Sequence, residues 1–361
     1  MKIITINMEN KNIKQEKVKM IKFIVKEDIL NFIKTLEADH NIYYLTKDQN
    51  YAKFSNSEYL NDLNIEGVRA ITPLKAFFFI NEENLELPQK PLHKSNIIFG
   101  VKNCDLQAKK ILDNIFLGGI CIDPLYKFHT ENTLIFSSDC PQPGNSCWCT
   151  ILNGKPYSEE GFDLNFSPVQ EGFIVEVGTE RGEKIITQAQ AFFKEVNQEQ
   201  LLNREMIRKK SIEKLDEINK EYISIKNFNF QELTKENFNS EYWRETSKTC
   251  VQCTGCNNIC PSCYCFYLSD VSKENFQKIR YWDACHYTGY ARVAGGANPR
   301  PKIFERFRNR YECKFNYRMT NFKMYACTGC GRCYDVSPCR IDIRKVLSGL
   351  KTNATKSIYS N

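Results

Sequence analysis

Between Cys250 and Cys265 the chain reads Cys-Val-Gln-Cys-Thr-Gly-Cys-Asn-Asn-Ile-Cys-Pro-Ser-Cys-Tyr-Cys, six cysteines in sixteen residues. Cys250, Cys253, Cys256 and Cys260 are spaced C-x2-C-x2-C-x3-C ahead of Pro261. This is the order in which a bacterial-ferredoxin loop offers three thiolates to one cubane and a fourth to another. A second run follows at Cys327, Cys330, Cys333 and Cys339. Zinc sites usually separate pairs of ligands by a dozen or more residues, whereas three thiolates within seven residues suit three corners of a compact iron–sulfur cluster. Buried, unligated thiols are the bland alternative, and two such runs weigh against it. By the ferredoxin rule Cys250, Cys253 and Cys256 hold one [4Fe-4S] cluster, while Cys260 completes the one held by Cys327, Cys330 and Cys333. The 66 residues between Cys260 and Cys327 exceed what a minimal ferredoxin needs, so Tyr281 to Tyr325 must add helices or a packed loop.

The elements that would position further thiols lie in the first half. Glu27 to Ala38 carries Ile29, Leu30, Ile33 and Leu36 at helical spacing, and Ile42 to Leu45 reads as a strand. Ala76 to Ile80 is an apolar run, followed by a loop with Pro88 and Pro91. Asn96 to Lys102 reads as a buried strand running into Cys104, and Leu106, Ile111, Leu112 and Ile115 mark a helix ending before Gly118-Gly119. Thr133 to Ser137, a second strand, runs into Cys140, with Cys147 and Cys149 shortly after. If the helix is a right-handed crossover, the strands are parallel and their carboxyl ends share one edge, where open α/β sheets bind ligands. Cys104 and Cys140 then meet, and the loop bearing Cys147 and Cys149 closes a third cluster; small buried residues are the alternative. Phe173 to Val177 reads as a strand. Helical runs at Ala189 to Val196 and Leu201 to Ile218 then fall in a Lys/Glu/Gln/Asn-rich stretch, a connector or surface helices of the first domain.

The chain of 361 residues is long enough for two domains, and its 17 cysteines are far more than chance supplies. Disulfide scaffolds are normally shorter, and the first residues lack the apolar core of a signal peptide, so the thiols are expected in a reducing cytoplasm. Residues 1–20, rich in Lys and Asn, are expected to form a loose arm. No stretch approaches the ~18 apolar residues of a membrane span. Net charge is +7, but from Lys273 onward there are 18 Lys/Arg against 6 Asp/Glu, a net +12. A basic face can bind nucleic acid; the preferred reading is that cations stabilise anionic clusters and steer an acidic redox partner. Neither G-x-G-x-x-G after a strand nor G-x-x-x-x-G-K-[ST] occurs, so no flavin or nucleotide site is evident. His40, His93, His129 and His286 are scattered, and Arg306, Arg308 and Arg310 read as a solvated face.

In combination, Phe99-Gly-Val-Lys-Asn-Cys-Asp105, Asp123 to Tyr126, Cys140 with Cys147-Trp-Cys149, Cys250 to Phe266, Tyr281-Trp-Asp-Ala-Cys285, Arg292 to Arg300 and Cys327 to Cys333 carry a family resemblance. The chain resembles the iron–sulfur subunits that include the beta subunit of cytoplasmic sulfhydrogenases and the corresponding iron–sulfur subunit of anaerobic sulfite reductase. The resemblance spans roughly residues 96 to 345 and implies an electron-carrying component of an anaerobic oxidoreductase. Such a component stands between a flavoprotein linked to NAD(P)H and a catalytic partner, either hydrogenase or sulfite reductase. The family pattern places the fourth cysteine of the second run directly before proline, but here Ser337 stands there, followed by Pro338 and Cys339. Cys339 is the favoured last ligand of the Cys250 cluster; Ser337 oxygen, Cys285, Cys313 or a three-iron cluster are the alternatives. Cys263 and Cys265 are expected to support rather than ligate.

The expected fold is α+β: an α/β domain over 1–185 with the third site, a helical connector over 186–240, and an α-helical ferredoxin-type dicluster domain over 241–361. The expected function is single-electron relay without catalysis of its own. The alternatives are reductive chemistry on a sulfur compound or disulfide at Cys104, Cys140, Cys147 and Cys149, and a Cys-rich nucleic-acid module.

Overall fold

A computed structural model describes residues 20–54, 62–85, 94–272 and 276–358. The arm expected up to residue 20, Met20 apart, and the Pro88–Pro91 loop lie outside the described residues. Ten strands occur among those described: β1 (Ile21–Val25), β2 (His40–Leu45), β3 (Tyr51–Lys53), β4 (Glu82–Asn84), β5 (Ser95–Val101), β6 (Thr133–Ser138), β7 (Leu164–Val169), β8 (Gly172–Val177), β9 (Phe266–Ser272) and β10 (Phe276–Trp282). Seven of them form one sheet in the order β1-β8-β7-β6-β5-β2-β3, and β4-β10-β9 form a second. β2, β5, β6 and β7 are mutually parallel, while β3 and β8 run antiparallel to their neighbours.

Parallel strands covered on both faces read as continuous apolar runs, and β5 and β6 do so. Ile97, Phe99, Leu134 and Phe136 face the helix α1 (Ile29–Leu36), whose Ile29, Phe32, Ile33 and Leu36 are buried. Ile98, Val101 and Ile135 face the other way, onto Leu106 and Leu112 of α2 (Asn103–Phe116). The crossover from β5 to β6 is α2 followed by α3 (Pro124–Glu131), which opens with Pro124 after the capping side chain of Asp123 (Tyr126 N to Asp123 Oδ1, 2.8 Å). Gly100 sits at a bulge between Phe99 and Val101 with φ +89°, and a Cβ there would lie 2.8 Å from Leu45 Cβ. Only glycine tolerates both conditions, and the bulge sets the exit of β5 toward Lys102 and Cys104.

The helices of the remaining chain are α4 (Glu180–Gln188), α5 (Gln198–Ile218), α6 (Phe230–Glu236), α7 (Tyr242–Ser247), α8 (Gly255–Asn258), α9 (Ile303–Tyr311), a π-helical turn (Glu312–Tyr317), α10 (Arg318–Phe322), α11 (Arg332–Asp335) and α12 (Ile343–Ile358). The helix expected over Ala189 to Val196 is not formed. α4 ends at Gln188, a short 3-10 turn spans Gln190–Phe192, and Lys194 exchanges two 2.8 Å backbone hydrogen bonds with Phe23 of β1. Phe192 and Phe193 are drawn edge-on to Phe32 in the core, an anchorage that outweighs helix propensity. The helix expected from Leu201 is α5, opened by a capping box of Asn197 and Gln200. It lies across β7 and β8, and its buried Arg208 bonds Asp139 (2.8 Å), Glu176 (3.1 Å) and Ser167 (3.1 Å).

The fold is α+β, and its two halves are interlocked. Trp148 and Ile151, from the loop after β6, belong to the same apolar core as Trp243, Phe307, Tyr311, Phe315 and Leu347. Conversely β4, from the first half, pairs with β10 in the second. A buried ion pair fixes this junction: Arg332 of α11 meets Asp105 of α2 at 2.7 Å, with side chains 1% and 0% exposed. Its Nε also donates to the carbonyls of Ala70 (2.8 Å) and Ile71 (3.0 Å). Removing one partner of such a pair leaves an uncompensated buried charge. Arg332→Met is therefore expected to lower the unfolding free energy by ~3–5 kcal/mol. Adding Asp105→Asn to it should recover part of that loss; urea denaturation of the three proteins measures both effects.

Candidate functional site

The expected ligands of the first cluster come together. Cys250, Cys253, Cys256 and Cys339 line one cavity, walled by His286, Phe307, Arg310 and Tyr311. The loop that presents the first three turns through two left-handed residues, Gln252 (φ +58°) and Thr254 (φ +60°), before α8. Burial pushes the Cys250 thiol up, the Gln252 backbone N–H directed at its sulfur works the other way, and Cys253 and Cys339 add to the rise. Cys339 reaches the cavity although it stands two residues late. Arg340 N bonds Ser337 O at 3.1 Å, and Arg340 itself is left-handed (φ +48°), so the chain doubles back there. Ser337 lines the cavity too, but its Oγ accepts from Ile341 N at 3.4 Å. Cys285 and Cys313 are not among the lining residues.

The second set is Cys260 with Cys327, Cys330 and Cys333. Burial pushes the Cys327 thiol up, with Cys333 and Cys260 nearby and a Gly329 backbone N–H aimed at its sulfur. Burial likewise raises Cys333, which neighbours Cys330, Cys260 and Cys256. The third set forms where the strands end. Cys104 follows β5, Cys140 follows β6, and with Cys147 and Cys149 they line one cavity whose far wall is Gly329 and Cys330 of the second run. Val101 pairs with Ser137, so the carboxyl ends of β5 and β6 are level.

The second and third sets share a wall at van der Waals distance. Trp148 N donates to Gly329 O at 2.8 Å. Gly329 (φ +68°) would place a Cβ 2.5 Å from the Cys149 backbone, and Gly331 (φ +76°) one 2.4 Å from Ser146 O. Arg69, 4% exposed, bridges the two sets by donating to Cys330 O and pairing with Asp335, which also accepts from Ser146 Oγ at 2.9 Å.

Buried charge tests whether these residues fit an anionic group. Lys102 is 2% exposed and directs its ammonium to Ile65 O (2.6 Å), Ser138 Oγ (2.8 Å) and Asp139 O (2.8 Å), beside Cys140 and Cys104. Burial pulls it down to about 8 and raises Cys140 to about 11, each partly offset by the other. Lys314, 3% exposed, lies 3.0 Å from Cys260 Sγ. Arg310 faces Cys256 and Cys333, and its Nε has no partner. The buried Nε2 of His286, in the cavity of the first set, is likewise unpartnered; burial, with Arg310 and Arg306 nearby, lowers His286 to about 3, so it stays neutral. Among the described residues no carboxylate is in ion-pair contact with Lys102, Arg310 or Lys314. Buried cations require counter-charge, and clusters held by thiolates are net anions. The donor sets fit iron–sulfur clusters.

Sequence reasoning missed these cations. Arg306 and Arg310 are buried, 3% and 6% exposed, not a solvated face. Arg306 bonds four backbone or amide oxygens, among them His286 O at 3.0 Å. The sequence signal available was position, since Arg306, Arg310 and Lys314 recur every four residues between the two cysteine runs. His40 and His129 are held by Ser95 and Glu83, each at 2.6 Å, and His93 lies outside the described residues.

Comparison with known proteins agrees with this geometry. Residues 249–341 match the 4Fe-4S dicluster domain family. Over 329 residues the chain is 29% identical to sulfhydrogenase 2 subunit beta of Pyrococcus furiosus, covering 89% of this chain and 95% of that protein. Over 171 residues it is 24% identical to F420-dependent formate dehydrogenase subunit beta of Methanocaldococcus jannaschii, covering 47% of this chain and 36% of that one. Fold and site thus define a 4Fe-4S dicluster protein. Over most of its length the chain is similar to the sulfhydrogenase beta subunit, and the dicluster domain together with these relatives supports an electron-transfer iron–sulfur subunit. Among the described residues no helix is long and apolar enough to cross a membrane.

The loop geometry at Cys339 has a spectroscopic consequence. Cys339→Ala should give a three-iron electron paramagnetic resonance signal in oxidised, anaerobically prepared protein, absent from the wild type. Ser337→Ala should leave the wild-type spectrum. The reverse pattern would make Ser337 the ligand.

Proposed function

We propose that this chain relays single electrons within a multisubunit oxidoreductase, between a flavoprotein subunit linked to NAD(P)H and a catalytic subunit of the hydrogenase or sulfite-reductase kind, in the cytoplasm. Cys250, Cys253, Cys256 and Cys339 are assigned to one cluster, Cys260, Cys327, Cys330 and Cys333 to the second, and Cys104, Cys140, Cys147 and Cys149 to a third. When bound, the clusters supply one-electron exchange, and their potentials follow from ligand, charge and solvent exposure. The observation that carries the reading is continuity. Arg310 stands between Cys256 of the first set and Cys333 of the second, and Arg69 between Cys330 of the second and the loop of the third. Three adjoining sets are what a conductor needs and what a single reaction centre does not. The relatives support the same reading, since one is named as part of a sulfhydrogenase and the other as part of a formate dehydrogenase. The domain division proposed from this is an α/β part to about residue 185, α5 and its flanks, and the dicluster part from about 241.

A second reading draws on a cleft of about 510 Å3 that opens onto Cys104, Cys149 and Cys327, with Asn103, Gln107 and Lys155 on its walls. Such a cleft admits a small sulfur compound or disulfide to the third set, where reductive chemistry would then occur. Site-by-site iron counting separates the two. Relay predicts that Cys104→Ser, Cys140→Ser, Cys147→Ser and Cys149→Ser each lose about four iron and four acid-labile sulfide per chain, the content of one cubane. A variant that keeps its iron yet abolishes turnover of the reconstituted complex would assign chemistry to that thiol instead.

A further inference from the structure

Twelve of the 17 cysteines are taken up by the three sets, and Cys121 is exposed. The remaining four, Cys263, Cys265, Cys285 and Cys313, come from three separate segments: the end of the first cysteine run, the turn after β10 and the π-helical turn. None of the four is exposed; Cys265, Cys285 and Cys313 neighbour one another, and Cys263, whose thiol also hydrogen-bonds Cys260 of the second set, joins them through Asn257. The Cys265 and Cys285 thiols hydrogen-bond one another, and the Cys285 backbone N–H and the Tyr290 hydroxyl are also directed at the Cys265 sulfur. Asn257 Nδ2 stands between two of them, 3.2 Å from Cys285 Sγ and 4.0 Å from Cys263 Sγ. Cys313 is an electrostatic neighbour of both Cys265 and Cys285. Amide donors aimed at sulfur are the device already seen at Cys250 and Cys327, and a neutral thiol has little use for them.

Charge supplies an independent observation. Lys75 reaches in from the first half of the chain and is 4% exposed. Its ammonium donates to Cys263 O at 2.9 Å and lies 4.1 Å from the centroid of the Trp282 ring. Among the described residues no carboxylate is in ion-pair contact with it, and the groups that would hold its charge are the sulfurs of Cys263, Cys260 and Cys265. Lys314 stands in the same gap, 3.0 Å from Cys260 Sγ and 3.4 Å from Cys263 Sγ. Each cysteine set described above has a buried cation lacking a carboxylate, and Lys75 is in that position toward Cys263 and Cys265, with Cys260 of the second set beside them. A metal–sulfur cluster on thiolates supplies the anion that two buried lysines in one gap require. A single metal ion would draw its ligands to one point; among the described residues no three Cys, His, Asp or Glu side chains converge that way. A polynuclear cluster instead keeps its ligands apart at its corners.

We propose that Cys263, Cys265, Cys285 and Cys313 hold a fourth iron–sulfur cluster, flanked by Lys75 and Lys314. The hairpin of β9 and β10 is then the loop between two of its ligand pairs, starting one residue after Cys265 and ending three before Cys285. Its four ligands are separate from those of the third set, so either cluster can stand without the other.

Iron and acid-labile sulfide in the anaerobically purified full chain test it. About sixteen of each per chain are expected, four per cubane. Cys285→Ser and Cys313→Ser should each lose about four of both, with the far-ultraviolet circular dichroism and the remaining iron retained, while Cys121→Ser loses none. Lys75→Gln, which keeps all four thiols, should lower the reduction potential of one cluster at unchanged iron content. A wild-type content of about twelve that falls in Cys147→Ser but not in Cys285→Ser would overturn the fourth cluster and leave the third. The opposite pattern would do the reverse. One zinc per chain that disappears in Cys285→Ser, or a Cys265–Cys285 disulfide in the protein as isolated, would also overturn it.

Discussion

Positive charge inside the protein is the constraint from which the rest follows. Lys75, Lys102, Arg310 and Lys314 are all buried, and none has a carboxylate in contact among the described residues. Burying a lone ammonium or guanidinium is among the costliest acts in folding, so the interior must hold negative charge of another kind. Sulfur is what surrounds these groups. Without metal, burial pushes most of the cysteines up, as at Cys140, Cys256 and Cys327, and only Cys260 and Cys265, held low by hydrogen bonds with the Cys263 and Cys285 thiols, offer the cations negative sulfur. Binding a metal–sulfur group to thiolates removes protons, creates anions and completes the cations' environment at once. Stability and cofactor content are therefore two readings of one electrostatic balance.

The same balance explains why the two halves interlock. A cation reaching a cluster from one side only would leave its own backbone at the surface. Here Lys75, Lys102 and Arg69 come from the first half and Arg310, Lys314 and Arg332 from the second, converging on a shared interior. The strand β4 inserted beside β10, and Trp148 inserted into the helical core, give this convergence a rigid frame. Arg280 shows the principle with ordinary partners, since its buried guanidinium joins Glu83 of β4 to Asp123 at the start of α3.

Much of the site was legible because ligand spacing is local chemistry. Three thiols within seven residues suit little besides a compact cluster, and the edge formed by Cys104 and Cys140 followed from parallel strands joined by a helix. Cys339 was legible as a departure, but not its resolution, because a left-handed Arg340 leaves no mark in the sequence. The buried lysines were illegible for a different reason. Lysine is mostly a surface residue, and only the packed structure reveals that Lys75 and Lys314 face sulfur. The β9–β10 hairpin was missed because its residues are largely exposed and lack a core face, and β4 because three residues carry too little pattern. Phe192 and Phe193 misled in the opposite direction, being fixed by distant Phe32 rather than by neighbours in the chain.

Gly329 and Gly331 press against the backbone of Cys149 and Ser146 with no room for a side chain. The wall between the second and third sets is thus a single layer of main chain, and neither compartment can be opened without displacing part of the other. The cleft that reaches Cys104, Cys149 and Cys327 runs along this layer, so both sets share one approach from solvent. A reagent entering there would meet ligands of two sets at once, Cys104 and Cys149 on one side and Cys327 on the other.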